Sequence, residues 1–111
     1  MKLTELAKSG RPLLTAEIFP PKGTNLAKVL AKAKLLSPAI AAFNITDSQR
    51  AVMRLAALAI SRRLLDAGFL PIYQLTCRDR NRLALQSDLL GAAALGIENV
   101  LLLSGDHPKH G

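Results

Sequence analysis

Four nearly all-apolar runs recur along the chain, and their spacing constrains the fold more than any other feature. They are "LLTAEIF" (13–19), "AIAAFNIT" (39–46), "FLPIYQLT" (69–76) and "NVLLLSG" (99–105). Their ends, at 17–19, Thr46, Thr76 and Ser104, fall about every 30 residues, the size of one strand-plus-helix unit in a (β/α)8 barrel. Helical stretches fill the intervals. Thr24 is placed to cap a helix over about 25–36, which Pro38 ends. Asp47 or Ser48 is placed to cap a long helix, "QRAVMRLAALAISRRLLDA", in which Val52, Leu55, Ala59 and Leu64 recur near helical spacing. Gly68 follows where a left-handed residue closes a helix. Asp79 is placed to cap "RNRLALQSDLLGAAAL", closed by Gly96, and a short opening helix is expected over 3–8. Apolar strands alternating with amphipathic helices imply an α/β fold with a parallel sheet covered by helices. Right-handed crossovers then bring every strand's C-terminal end to one rim.

The chain has 111 residues, half of them apolar, so it can bury a core and is not disordered by composition. One domain without internal boundary is expected over 1–111. No apolar run is long and unbroken enough to span a bilayer. The polar start, 1–11, lacks a signal-peptide core, and the single cysteine, Cys77, excludes an internal disulfide framework. A cytoplasmic protein without membrane association is expected. The net charge of +7 could mark a nucleic-acid surface. However, Lys28, Lys32, Lys34, Arg62 and Arg63 fall in helical stretches, and aromatics to stack on bases are nearly absent. The charge therefore reads as solvated helix faces, and no nucleic-acid partner is expected.

Polar residues gather at the expected rim: Glu17, Asn44, Thr46, Asp47, Gln74, Thr76, Ser104 and Asp106. Singly, a Thr or Asn at a strand end is a turn former or cap; together they come from all four strands. Glu17 is the sharpest. A carboxylate in a buried strand is costly unless paired or functional, and desolvation would suit it to act as a general acid. The alternative is a structural ion pair with Lys22 or an arginine. Pro20 and Pro21, which lack ladder amides, stop the strand just beyond it. Asp106 follows Gly105, whose missing side chain would let a ligand approach; a plain Gly-Asp turn is the alternative. Cys77 lies among Arg78, Arg80 and Arg82 but has no nearby histidine, so it reads as incidental. His107 and His110 beside Asp106 lack further ligands at fixed spacing, and no metal site is expected. No glycine-rich phosphate loop is present.

"AEIFPPKG", "FNITDSQRAVMR" and "YQLTCRDRNRLALQSDLLGAAALGIENVLLLSGDHP", in this order, resemble the methylenetetrahydrofolate reductase family from about Leu13 onward. The resemblance implies a flavoprotein (β/α)8 barrel that uses FAD to reduce 5,10-methylenetetrahydrofolate to 5-methyltetrahydrofolate, with NADH, NADPH or another electron donor. It makes Glu17 the acid that protonates the folate and Asp106 a catalytic carboxylate near flavin and pterin. It places Thr46, Gln74, Ser104, Gly105 and Asp106 against the cofactor. Departures are visible: Asp47-Ser48-Gln49-Arg50 follow Thr46 where many members have tyrosine and a glycine-rich turn, Gln74 stands for a histidine, and Ser104 for an arginine. The pattern resembles the branch from anaerobic and acetogenic bacteria, some of whose members work with a zinc-containing partner subunit. A homo-oligomer is implied for the full-length enzyme.

A closed barrel takes about 250 residues, so this chain is expected to supply the first four β/α units, a half barrel belonging to a longer methionine-pathway enzyme. The contrasting expectation is a non-catalytic half-barrel module that dimerises or docks on a partner through its open strands.

Overall fold

In the computed structural model, residues 2–10, 12–48 and 51–104 are described. Helices and strands alternate: α1 (Leu3–Ala7), β1 (Thr15–Ile18), α2 (Ala27–Leu36), β2 (Ala42–Ile45), α3 (Ala57–Asp66), β3 (Pro71–Thr76), α4 (Arg82–Ala94) and β4 (Val100–Leu103). The four strands form one parallel sheet in the order β1-β2-β3-β4. The chain is thus α/β, with all strand C-termini at one end.

Register divides the sheet into two faces. Ile18 pairs with Ile45, and Ile45 with Tyr73. With Phe43 and Leu75 these residues are buried together with Ala57, Ile60 and Leu64 of α3, Ala33 of α2 and Ala92 of α4. The rings of Phe43 and Phe69 meet edge to face, with centroids 5.9 Å apart at 81°. Each fully buried Ile, Leu or Phe contributes about 1.5–3 kcal/mol by leaving water, so this face holds the domain together. The opposite face carries Thr15, Glu17, Asn44, Ile72, Gln74, Leu101 and Leu103 by the pleat's alternation. No described helix packs over it along its length. Near its lower end α1 approaches, where the Leu3 amide donates to Asn99 Oδ1 at 2.7 Å. There Thr15, Asn44, Ile72 and Leu101 line a hollow of about 530 Å³.

Several boundaries differ from the sequence-based expectation. α3 starts at Ala57, so Val52 and Leu55 precede it, and the buried positions of the helix are Ala57, Ile60, Ser61 and Leu64. The backbone at Ser48 and Ala51 has positive φ, 44° and 57°, which a helix cannot use. The segment before α3 binds β1's exit instead: the Leu55 amide donates to Pro21 O at 2.7 Å and Arg54 Nη1 to Pro20 O at 3.3 Å. Thr24 does not cap α2; Asn25 Oδ1 accepts from the Ala27 amide at 3.0 Å. Asp79 does not cap α4 either. Asn81 does, accepting from the Ala84 amide at 2.8 Å. Asp79 is exposed and bonded to Arg78, whose guanidinium holds the carboxyl below the usual carboxylate range. Gly68 and Gly96 close α3 and α4 as expected, with φ of 89° and 82°. Among the described residues no helix is long and apolar enough to cross a membrane.

Candidate functional site

The C-terminal ends of the strands carry the polar residues, and their register decides which come together. Glu17 pairs with Asn44 across β1 and β2. One pleat higher, Thr46 and Gln74 follow Ile45 and Tyr73, themselves partners, and Gln74 pairs with Leu101. Thr46 and Gln74 are therefore neighbours on the open face, with Glu17 diagonal to them and nearer the sheet's middle. Thr76 and Leu103 form the next row towards the rim.

Glu17 differs from expectation in its surroundings. It is exposed, not buried. Its neighbours Ala16 and Ile18 point into the helix-covered core while Glu17 takes the opposite face. No ion pair reaches its carboxylate from Lys22 or an arginine among the described residues. Its backbone carbonyl accepts from Lys32 Nζ at 3.4 Å. The carboxylate is thus held on a rigid strand, facing open space that a ligand could share.

Thr46 is buried, and its amide and hydroxyl both reach Ile18 O, at 3.1 and 3.4 Å. That anchors the end of β2 to β1. Gln74 is half-buried and Ser104 exposed. Gly105 and Asp106, with His107 and His110, lie outside the described residues. Cys77 is exposed and free, with Sγ 3.4 Å from Leu103 O. Among the described residues no cluster of His, Cys, Asp and Glu could hold a metal ion.

Sequence reasoning treated Asp47 as a helix cap and missed its actual place. Asp47 is buried, and Oδ2 accepts from the Thr76 amide at 2.9 Å and its hydroxyl at 3.1 Å. Arg80 Nη1 lies 2.5 Å from the same oxygen, while Arg80 Nε reaches Asp88 Oδ2 at 2.9 Å. Burial acts against the Arg80 charge, but the bond and charge of Asp47, helped by Asp88, outweigh it and raise the pKa above the ordinary arginine value. A signal existed in principle: an acid just after one strand and arginines in the loop after the next.

Tyr73 adjoins this network from the core side. Burial first, and the Asp88 charge second, push its phenol up to about 12 from the ordinary value of 10. Below pH 10 the phenol is neutral in folded and unfolded chains alike. Between pH 10 and 12 the unfolded chain ionises first, so stability falls as pH rises, by about 3 kcal/mol in all. Denaturant titrations across this window should show the fall, and Tyr73→Phe should remove this residue's share of it.

With this geometry in hand, comparison with known proteins gives one result. A family model described as methylenetetrahydrofolate reductase matches residues 2–111, nearly the whole chain. No curated protein matches it significantly.

Proposed function

We propose, from the premise that this chain belongs to the methylenetetrahydrofolate reductase family, that it supplies the first part of a folate and flavin site. The enzyme would be an oxidoreductase converting 5,10-methylenetetrahydrofolate to 5-methyltetrahydrofolate. The observation that carries this reading is the open-face arrangement of Glu17 beside the Thr46–Gln74 row, within a match that covers nearly the whole chain.

The residues present suit FAD. Gln74 offers a half-buried amide on the open face beside Thr46, whose hydroxyl donates to Ile18 O and can still accept, and Leu101 and Leu103 offer apolar surface next to them, a mixture typical of cofactor sites. In this reading Thr46 and Gln74 contact the cofactor, with Ser104, Gly105 and Asp106 completing its edge. When bound, FAD supplies the hydride. Glu17 holds a proton at its carboxyl oxygen and delivers it to the folate nitrogen as the five-membered ring opens. Asp47 and Thr76 keep the strand ends in place around them. NADH, NADPH or another donor supplies the electrons.

The sheet supports a (β/α)8 barrel as the complete fold. All four strands are parallel and in sequential order, and the last is exposed on both faces, with Leu101 at 42% and Leu102 at 62% exposure. Further β/α units continuing from β4 would cover both faces and close the ring. We accordingly take the chain as part of a longer cytoplasmic flavoprotein, oligomeric at full length, in one-carbon metabolism and methionine biosynthesis. A zinc-containing partner subunit is consistent with the branch resemblance. The same uncovered β4 supports the second reading, a non-catalytic module docking through that edge.

Expression of the complete gene product separates the two. The reductase reading requires yellow protein with bound FAD and electron-donor-dependent production of 5-methyltetrahydrofolate. A folded, colourless product without folate turnover would leave the docking module.

A further inference from the structure

The exit of β2 is held in an improbable shape by bonds from both sides. Ser48 and Ala51 take left-handed backbone conformations although neither is glycine. Such strain persists where surrounding contacts over-determine it, and it clusters at ligand sites. Here Ser48 Oγ accepts from the Arg54 amide at 3.3 Å, and Ser48 O accepts from Arg78 Nη2 at 3.2 Å. Asp47, next to Ser48, ties the end of β2 to β3 through its buried carboxylate.

The ladder between β2 and β3 ends at Ile45–Tyr73. Beyond it, the Thr76 amide finds the Asp47 carboxylate in place of a strand-2 carbonyl. Arg80 clamps that carboxylate and also donates to Thr76 O at 2.7 Å, closing a loop of bonds around the end of β3. Thr46 and Gln74 sit one residue from Asp47 and two from Thr76 on these two tied ends.

The geometry points to Asp47 and Arg80 as a positioning pair that sets how Thr46 and Gln74, neighbours across β2 and β3, present their polar groups to a flavin. Neither side chain need touch the ligand. The charge pair fixes two strand ends where the backbone ladder no longer does, and buried charge-assisted bonds hold geometry more tightly than neutral ones. This inference rests on the flavin reading above.

The test uses the full-length protein and measures FAD dissociation constants by flavin fluorescence, the visible spectrum of bound flavin, and thermal unfolding by circular dichroism. Asp47→Asn keeps the shape but removes the charge. It should weaken FAD binding about tenfold or more at temperatures where the protein stays folded, since neutral bonds are roughly half as strong as the charge-assisted ones they replace. The vibronic structure of the bound flavin band should blur. Arg80→Lys should recover part of what Arg80→Gln loses. Arg62→Ala breaks the unrelated Arg62–Asp66 pair on α3 and should lower the melting temperature without altering FAD affinity or spectrum. If Asp47→Asn and Arg80→Gln keep the parent's FAD affinity and spectrum, whatever their melting temperatures, the pair is structural only and the inference falls. A parent protein that binds no FAD overturns the flavin reading itself, and the pair's role with it.

Discussion

On the reading proposed above, Glu17→Gln in the complete gene product should sharply slow folate reduction while the electron donor still reduces the flavin. Glutamine matches glutamate in size and can fill the same place on β1, but it has no acidic proton to give. Positioned general acids contribute about a hundredfold to ten-thousandfold to rate, and the loss should fall in that range. The two half-reactions separate cleanly. In the proposed site, donor oxidation depends on cofactor contacts from the Thr46–Gln74 row, and Glu17 lies a row away from it. Ring opening of the folate needs a proton at nitrogen. Stopped-flow bleaching of the flavin at parental speed, with 5-methyltetrahydrofolate formation lost, is the expected outcome. Folate reduction at the parental rate would remove Glu17 from catalysis. Equal loss in both half-reactions would mean that the carboxylate organises the cofactor site instead.

The placement of Glu17 also shows what the sequence carried and what it did not. The run "LLTAEIF" looks continuously apolar, which suggested a strand buried on both sides. The strand itself, Thr15–Ile18, instead alternates, with Ile18 buried and Thr15 and Glu17 exposed. The strands themselves were legible because each apolar run is bounded on at least one side by proline or glycine (Pro20, Pro38, Gly68 and Gly96), signals that act locally. The start of α3 was not. Val52 and Leu55 extend the helical period backwards, but the chain there bonds to Pro20 and Pro21, which lie more than thirty residues away in sequence. Caps failed for a related reason: Asp79 has a suitable side chain, as does Asn81 close by, and backbone geometry chooses Asn81, while α2 begins after Leu26 without a side-chain cap bond. Asp47 was misassigned because its partners, Thr76 and Arg80, arrive from another strand and its following loop. Thr46 and Gln74 came together as expected, since parallel register follows from the repeat.

Leu101→Lys should have opposite consequences in two settings. In the 111-residue chain Leu101 lies on the open face at 42% exposure, so a lysine there stays hydrated. Its cost should be within about 0.5 kcal/mol, as for other surface changes, and by breaking an apolar edge it should reduce self-association in sedimentation runs. In a closed barrel the same position, paired with Gln74, faces the enclosed interior beside the proposed cofactor site. An ammonium there lacks a described partner acid close in register, and transferring an unpaired charge from water costs several kcal/mol even after relaxation. Since domains are stable by about 5–15 kcal/mol, the full-length variant should lose much of its folded population and its flavin with it. Denaturant midpoints on both proteins check this directly. A small effect in both would mean that the polar face bearing Glu17, Thr46 and Gln74 stays open to water, and it would remove the barrel, and the enclosed site built on it, from the reading of this chain.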